Sequence, residues 1–163
     1  MNSAVIKAPT PPPPPQEKSL QDSMLRLEAA LLAPVVSGEL KQWIEVVTES
    51  LKNFGSKWVE FVNSVLHQQY AQIAKTDTNL LSRVDQMVQE DRQLLADFTL
   101  FSQSVSDLAV RGRQVEKNEG KVADDRLQVE KDGMDLILRI KKQQAAATTW
   151  LNEANYRDLG TGD

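Results

Sequence analysis

The distribution of proline constrains this chain more than any other feature. Six of its seven prolines lie in the first fifteen residues, as Pro9 and the run Pro11 to Pro15, and the seventh is Pro34. Because proline lacks an amide donor and clashes with the preceding turn, it breaks the interior of a helix. The long remainder of the chain lacks this breaker, which is unusual for a folded domain unless helices fill it.

The proline run predicts a disordered, proline-rich tail over residues 1–18, followed by a helical domain over residues 19–163. Pro11 to Pro15 favours the extended polyproline II conformation, which has no internal hydrogen bonds. Such a segment can bind an aromatic groove of a partner, or it can act as a stiff spacer. No basic residue stands at the usual flanking place of a PxxP ligand, so we favour the spacer.

Apolar residues recur every three or four positions in the first half of the domain, as in helices that bury one face. A short helix is predicted from Ser19 to Ala33, because Pro34 pushes the residue before it out of the helical region. Ser37 is expected to cap a second helix of about ten turns. The apolar positions are Leu20, Met24, Leu27 and Leu31, then Leu40, Trp43, Ile44, Val47, Leu51, Phe54, Trp58, Phe61, Val62, Val65, Leu66, Tyr70 and Ile73.

The second half of the domain shows the same spacing. A cluster of turn-forming residues from Thr76 to Asn79 predicts a tight reversal. A polar segment from Arg111 to Lys121 is expected to connect the third helix to a fourth, which frays at Gly160. The apolar positions are Leu80, Val84, Met87, Leu94, Phe98, Phe101, Val105 and Leu108, then Val122, Val129, Leu136, Ile140, Ala147, Leu151 and Ala154.

The lengths of the helices predict how they assemble. The second, third and fourth helices each span about 33 to 38 residues, or roughly 50 to 57 Å. Similar lengths joined by short reversals are typical of a bundle. The predicted fold is all-α, an antiparallel up-down helical bundle of three long helices plus one short N-terminal helix. The near-heptad steps of the second helix suggest a coiled-coil assembly as an alternative, but its seam is too wide and aromatic for a plain two-stranded coil.

Composition excludes several classes of function. The chain has no cysteine, which rules out disulfides, thiolate metal sites and thiol nucleophiles. A net charge of −4 and a pI near 5.1 argue against a nucleic-acid partner, since no basic stripe is present. The sequence has no run of about 18 apolar residues, which a membrane-spanning helix would need. Its first residues also lack the apolar core of a signal peptide. We therefore expect a cytoplasmic protein.

Two polar residues fall on or beside the apolar stripes. His67, the one histidine, borders the seam of the second helix and is either a half-buried boundary residue or a ligand; we favour the boundary residue. Asp91 stands where the third helix expects an apolar side chain, and a buried carboxylate requires a partner or a raised pKa. It marks a polar or ligand site, or else Val88 and Leu95 fill the seam and Asp91 turns to water. We favour the turn to water.

The remaining candidates have simpler interpretations. Asp85, Glu90 and Asp97 are expected on solvated faces, and Trp150 is expected in the core or as a partial surface anchor. No glycine-rich phosphate loop is present, and one histidine without cysteine leaves few nucleophile–base pairs. The aromatic residues are expected to be core rather than a cofactor site: Trp43, Phe54, Trp58, Phe61, Tyr70, Phe98 and Phe101. The sequence therefore predicts no enzyme.

Several short segments resemble the hemerythrin-like four-helix bundles of bacteria. The segment from Tyr70 to Leu80, with the following Val84, is similar to the junction between the second and third helices of that family. Glu90-Asp91 stands where the family commonly has Glu-His. The closing segment from Asn152 to Gly160 resembles a tail of some members, and the resemblance covers roughly residues 27–163.

The resemblance implies a scaffold that binds a non-haem iron pair through several histidines and bridging carboxylates. Here that set is largely missing, because Asp91 replaces the third-helix histidine and Leu66 and Gln68 offer no carboxylate. The resemblance thus implies a member that kept the bundle and lost the metal. We expect a non-catalytic interaction or structural module without a cofactor, with protein partners. The alternative is an iron- and oxygen-binding protein with a carboxylate-rich site at His67, Asp91 and Glu90.

Overall fold

The computed structural model describes residues 14–36, 38–113 and 119–159, and every regular element within these ranges is helical. A π-helical segment (Val62–Leu66) joins α2 (Leu40–Phe61) to α3 (His67–Thr76) without a break. These three elements therefore form one long helix. The chain therefore has four helices in its described part, which confirms the all-α prediction. The elements are α1 (Pro15–Leu32), α2 (Leu40–Phe61), the π segment (Val62–Leu66), α3 (His67–Thr76), a 3-10 turn (Thr78–Leu80), α4 (Leu81–Arg113) and α5 (Glu119–Leu159).

Helix α1 begins at Pro15, four residues before the predicted domain boundary. Proline is well tolerated in the first helical turn, since its missing amide hydrogen would have no partner there. Glu17 adds a negative charge in that turn, where the helix dipole favours one. Residues 15–18 therefore belong to the helix. Of the predicted tail, residues 1–13 lie outside the described ranges.

The connections combine a glycine turn and an aspartate cap. Gly38 adopts a positive φ of 90°, a conformation that glycine reaches without steric cost, and α2 follows Glu39. The predicted cap Ser37 lies outside the described ranges. At the next reversal the Asn79 amide donates to the Asp77 carboxylate at 3.0 Å, which confirms a turn between Thr76 and Asn79.

The core follows the apolar stripes of all four helices. Of the predicted aromatic residues, Phe61 and Phe98 are partly buried and the others are buried. Phe98 packs edge-on against Phe54 and Trp58, with ring centroids 5.8 and 5.5 Å apart. Its space exists because Gly55 has no side chain: a Cβ there would lie 2.7 Å from the Phe98 ring. None of the described helices carries a stretch long and apolar enough to cross a membrane.

Contacts between successive long helices run in opposite sequence order. As residue numbers rise along the second helix, those of its partners on α4 fall: Ile44 with Gly112, Gly55 with Phe98, and His67 with Asp91. The same holds between α4 and α5: Asp91 with Gln143, Asp97 with Arg139, Phe101 with Gly133, and Arg111 with Asp125. This arrangement places the middle of α4 against both α3 and α5.

The π segment was not predicted. It allows apolar residues spaced four positions apart in the second helix to stay on the buried face. Trp58, Val62, Leu66 and Tyr70 are all buried at three successive steps of four residues. In an α-helix of 3.6 residues per turn, each such step drifts by roughly 40°. The wider π turn, with its i to i+5 hydrogen bonds, absorbs this drift. Tyr70 therefore still faces the interior.

Candidate functional site

The Asp91 side chain lies inside the bundle. The residue is only 2% exposed, in the middle of α4, so the favoured interpretation that it turns to water is wrong. Its neighbours Met87 and Leu94 are also buried, whereas Val88 and Leu95 are only partly buried. The steps of three and four residues continue through Asp91 without interruption, and helix geometry therefore turns the carboxylate inward despite its charge.

Three helices supply the surroundings of this carboxylate. From α5, the Gln143 amide donates a hydrogen bond to Asp91 Oδ1 at 3.2 Å. From α3, His67 Nε2 lies 3.6 Å from Asp91 Oδ2, and the rings of His67 and Tyr70 are 6.0 Å apart. We call His67, Tyr70, Asp91 and Gln143 the polar cluster. Trp150 of α5, half-buried, places its ring edge-on to Tyr70 at 6.1 Å.

Burial dominates the electrostatics of the polar cluster. It raises the pKa of the Asp91 carboxyl above its ordinary value, and the hydrogen bond from Gln143, the charge of His67 and the Tyr70 hydroxyl oppose that rise. Burial also raises the pKa of Tyr70, and the negative charges of Asp91 and Glu90 raise it further, against a smaller opposite effect of Arg83. The phenol therefore keeps its proton and serves as a neutral neighbour of the carboxylate.

Hydrogen bonding within the polar cluster is incomplete. His67 Nε2, Tyr70 Oη and Asp91 Oδ2 are buried without hydrogen-bond partners among the described residues. An unpaired buried polar group costs about 1–3 kcal/mol. Three of the four such side-chain atoms in the described part of the chain are in this cluster, the fourth being Trp43 Nε1. Within the described residues, unpaired buried side-chain atoms are therefore concentrated in this cluster.

The donor set does not fit the iron pair that the family resemblance implies. The polar cluster offers one imidazole and one carboxylate, together with a phenol and an amide. Glu90 instead accepts a hydrogen bond from Gln86 of its own helix. Within the described ranges, no group of three or more His, Cys, Asp or Glu residues is arranged to hold a metal ion. Iron pairs need several imidazoles and bridging carboxylates, so the residues present do not supply the ligands.

The other acidic candidates lie at the surface. Asp85 is exposed. Asp97 forms an ion pair with Arg139 of α5, and the hydrogen bond from this guanidinium lowers the pKa of the Asp97 carboxyl. Pairs this exposed contribute little to stability. They fix the relative position of α4 and α5 without forming a reactive site.

A second feature is an apolar groove between α1 and α5, with a volume of about 590 Å³. Its apolar side comes from α1, from Phe61 at the end of α2 and from Leu66 of the π segment, and its other side comes from α5. Leu25 at its edge is 59% exposed. We call it the α1–α5 groove; its lining includes Leu20, Met24, Leu25, Phe61, Leu66, Ala145, Thr148 and Thr149, with Glu17 and Lys141 as charged members.

The helices α1 and α5 approach each other closely near Gly133. A Cβ at this glycine would lie 2.7 Å from the ring of Phe101 on α4 and 2.8 Å from the side chain of Leu31 on α1, so both side chains pack directly against the backbone of α5. One further contact, the ion pair between Glu28 and Lys141, follows along the interface. From Lys141 onward, α5 lines the α1–α5 groove. No member of the polar cluster lines this groove.

Sequence reasoning found only part of this site. It singled out His67 and Asp91 but treated Tyr70 as ordinary core and gave Gln143 no role. The spacing held a signal for Gln143, because Ile140 and Ala147 are buried and a helical stripe that joins them passes through positions 143 and 144. The α1–α5 groove had no comparable signal, since it depends on how two distant helices diverge.

No protein-family model, curated protein or solved structure that was compared with this chain matches it.

Proposed function

We propose that this chain is a non-catalytic helical-bundle module that binds another protein through the α1–α5 groove. The observation that carries the proposal is the contrast between its two candidate sites. The members of the polar cluster are buried or half-buried and face one another, whereas the surface that opens between α1 and α5 is largely apolar. Exposed apolar surface of this kind is typical of interaction sites.

The shape and chemistry of the groove favour an amphipathic helix as the partner segment. Leu20, Met24 and Leu66 form an apolar floor, while Thr148 and Thr149 offer short side chains that admit a close approach. A helix with apolar residues at i, i+3 and i+4 suits a groove between helices. Such a helix would complete the packing that α1 and α5 leave open.

The proposal also includes the arrangement of the helices, their evolutionary origin and the location of the protein. An antiparallel up-down arrangement is supported by the opposite order of contacts along neighbouring helices. Descent from a bacterial hemerythrin-like bundle accounts for a carboxylate at position 91, where that family has a metal-binding histidine. A cytoplasmic location suits a chain without cysteine.

Selection of peptide ligands tests the binding site without requiring that the natural partner be identified first. A library of displayed helical peptides is selected on the full chain, and enriched peptides are measured by fluorescence anisotropy. Thr148→Trp would fill the α1–α5 groove, and Thr99→Trp is the matched control on an exposed part of α4. We expect at least about tenfold weaker binding for the first variant, since filling the groove removes the site, and unchanged binding for the second. Enriched peptides that bind both variants alike would contradict the proposal.

The alternative proposal is an atypical iron- and oxygen-binding protein, with His67, Asp91 and Glu90 as ligands. One observation favours it: His67 Nε2 and Asp91 Oδ2 lie 3.6 Å apart, and both lack hydrogen-bond partners in the described structure. Iron held there should give an ultraviolet charge-transfer band that Asp91→Leu abolishes. Asp85→Leu, on the exposed face of the same helix, should leave such a band intact.

A further inference from the structure

Helix α1 is much shorter than the helices it packs against. It has 18 residues, whereas the continuous helix formed by α2, the π segment and α3 runs from Leu40 to Thr76 and α5 has 41 residues. Beyond the start of α1, the π segment and α3 face the last turns of α5 across an open cleft of about 350 Å³. We call this the α3–α5 cleft. It adjoins the α1–α5 groove at Phe61, Leu66 and Thr148 but extends past α1 to Ile73 and Asn155.

We propose that the N-terminal segment, residues 1–13, binds in the α3–α5 cleft of its own chain, with its prolines along the cleft. The segment joins the described structure at the right place, because Pro14 itself lines the cleft. Pro14 has φ −54° and ψ 151°, which is close to the polyproline II conformation. The chain preceding α1 thus reaches the cleft without a linker.

The reach of the segment matches the length of the cleft. On α5 the lining runs from Thr148 to Asn155, and on the opposite side it runs from Phe61 to Ile73. At 1.5 Å per residue these distances are roughly 10 and 18 Å. Residues 9–13 in polyproline II conformation would cover about 16 Å. A few residues next to Pro14 therefore suffice to fill it.

The chemistry of the two surfaces is complementary. Prolines have no amide hydrogen to donate, and their carbonyls have no partners within a polyproline II segment. The cleft provides carboxamide side chains that can donate to such carbonyls: Gln16, Gln69, Gln72, Asn152 and Asn155. Between them, the half-buried Val65 and Leu151 offer apolar contact to proline rings. Glu17 is the one charged residue of this lining, so an almost uncharged segment fits it.

Paramagnetic labelling of the full chain tests this placement, and the absence of native cysteine makes a single label straightforward. Ala8→Cys carries a nitroxide, and methyl signals of the isotope-labelled chain are recorded before and after its reduction. We expect loss of the signals of Val65, Ile73 and Leu151. The methyl signals of Val122 and Val129, which belong to the first turns of α5, should stay intact.

A cleft variant and a mixing control sharpen the test. Asn152→Lys changes an exposed cleft residue and should restore the Leu151 signal, whereas Asn63→Lys, exposed and outside the cleft lining, should not. Weak broadening spread over the whole chain would overturn the proposal. So would broadening that arises only when spin-labelled and isotope-labelled chains are mixed, since a second copy would then occupy the cleft.

This inference goes beyond the proposed function and fails separately from it. Peptide binding at the α1–α5 groove is judged with Thr148→Trp, while the segment is judged at Ile73 and Leu151, which belong to the cleft alone. A chain that binds peptides while its N-terminal segment leaves the cleft signals unchanged would disprove only the inference.

Discussion

Replacing Asp91 with asparagine should stabilise the fold at neutral pH. Asparagine is nearly the same size and keeps an oxygen that accepts from Gln143, while its amide hydrogens can donate to the buried His67 Nε2 or Tyr70 Oη. The variant also removes a charge that burial disfavours. We expect the free energy of unfolding to rise by about 1–3 kcal/mol, the usual cost of an unpaired buried polar group.

The gain should depend on pH. Burial raises the pKa of Asp91 in the folded state, so between the unfolded and folded pKa values the folded chain binds more protons than the unfolded chain. The contribution of Asp91 to the free energy of unfolding is therefore fully present below the pKa of Asp91 in the unfolded chain. It is lost as pH rises through the pKa of Asp91 in the folded chain. The advantage of Asp91→Asn should be largest at neutral pH and shrink as the solution becomes acidic.

Urea unfolding followed by tryptophan fluorescence measures the difference at several pH values. His67 Nε2 lies 3.6 Å from Asp91 Oδ2, and the charge of His67 opposes the rise in the pKa of Asp91. The comparison is therefore repeated in a His67→Gln background, with Tyr70, Glu90 and Arg83 unchanged. Asp85→Asn, on the exposed face of α4, is the control and should change stability by less than about 0.5 kcal/mol. An Asp91→Asn chain that is less stable than wild type at neutral pH would refute the reasoning.

Two further predictions concern packing and the π segment. Gly133→Leu should lower the free energy of unfolding by about 1–3 kcal/mol, because the new side chain would overlap Phe101. The control Gly120→Leu should not lower it, since a Cβ at Gly120 meets no atom within 4 Å. Equal thermal midpoints for the two variants would contradict this prediction. Deletion of the exposed Asn63 should convert the π segment into a regular α-helix and leave cooperative unfolding intact, since the buried residues on either side keep their faces. Deletion of Glu49, exposed in the α-helical part, should rotate the following residues by about 100° and abolish cooperative unfolding, as circular dichroism can show. If both deletion variants unfold cooperatively, or if neither does, the interpretation of the π segment is wrong.

The helices could be predicted from the sequence because their causes are local. Proline placement, apolar spacing and the turn residues act within a few positions of one another, so the reversal at Asp77 was predicted and α1 was misplaced by only four residues. The error at Asp91 had a different origin. Composition suggested that a carboxylate avoids the interior, while the helical period placed it there, and the period prevailed because many neighbouring core contacts fix the orientation of α4.

The partners of Asp91 could not be derived in the same way. Tyr70 reaches the cluster only because the π segment corrects the phase of the second helix, and Gln143 lies 52 positions away in the chain. Which residues of α5 meet the middle of α4 depends on the register between the two helices. The α1–α5 groove likewise depends on how α1 and α5, which are far apart in the sequence, pack against each other.

Metal content is the decisive measurement for our proposal that the polar cluster, His67, Tyr70, Asp91 and Gln143, does not hold a metal ion. The full chain is purified from medium supplemented with iron, zinc and manganese, and each element is measured by mass spectrometry together with the protein concentration. We expect far less than one metal ion per chain, because one imidazole and one buried carboxylate cannot supply the ligands of an iron pair. A tightly bound pair of ions in every chain, lost in Asp91→Leu and retained in Asp85→Leu, would contradict it.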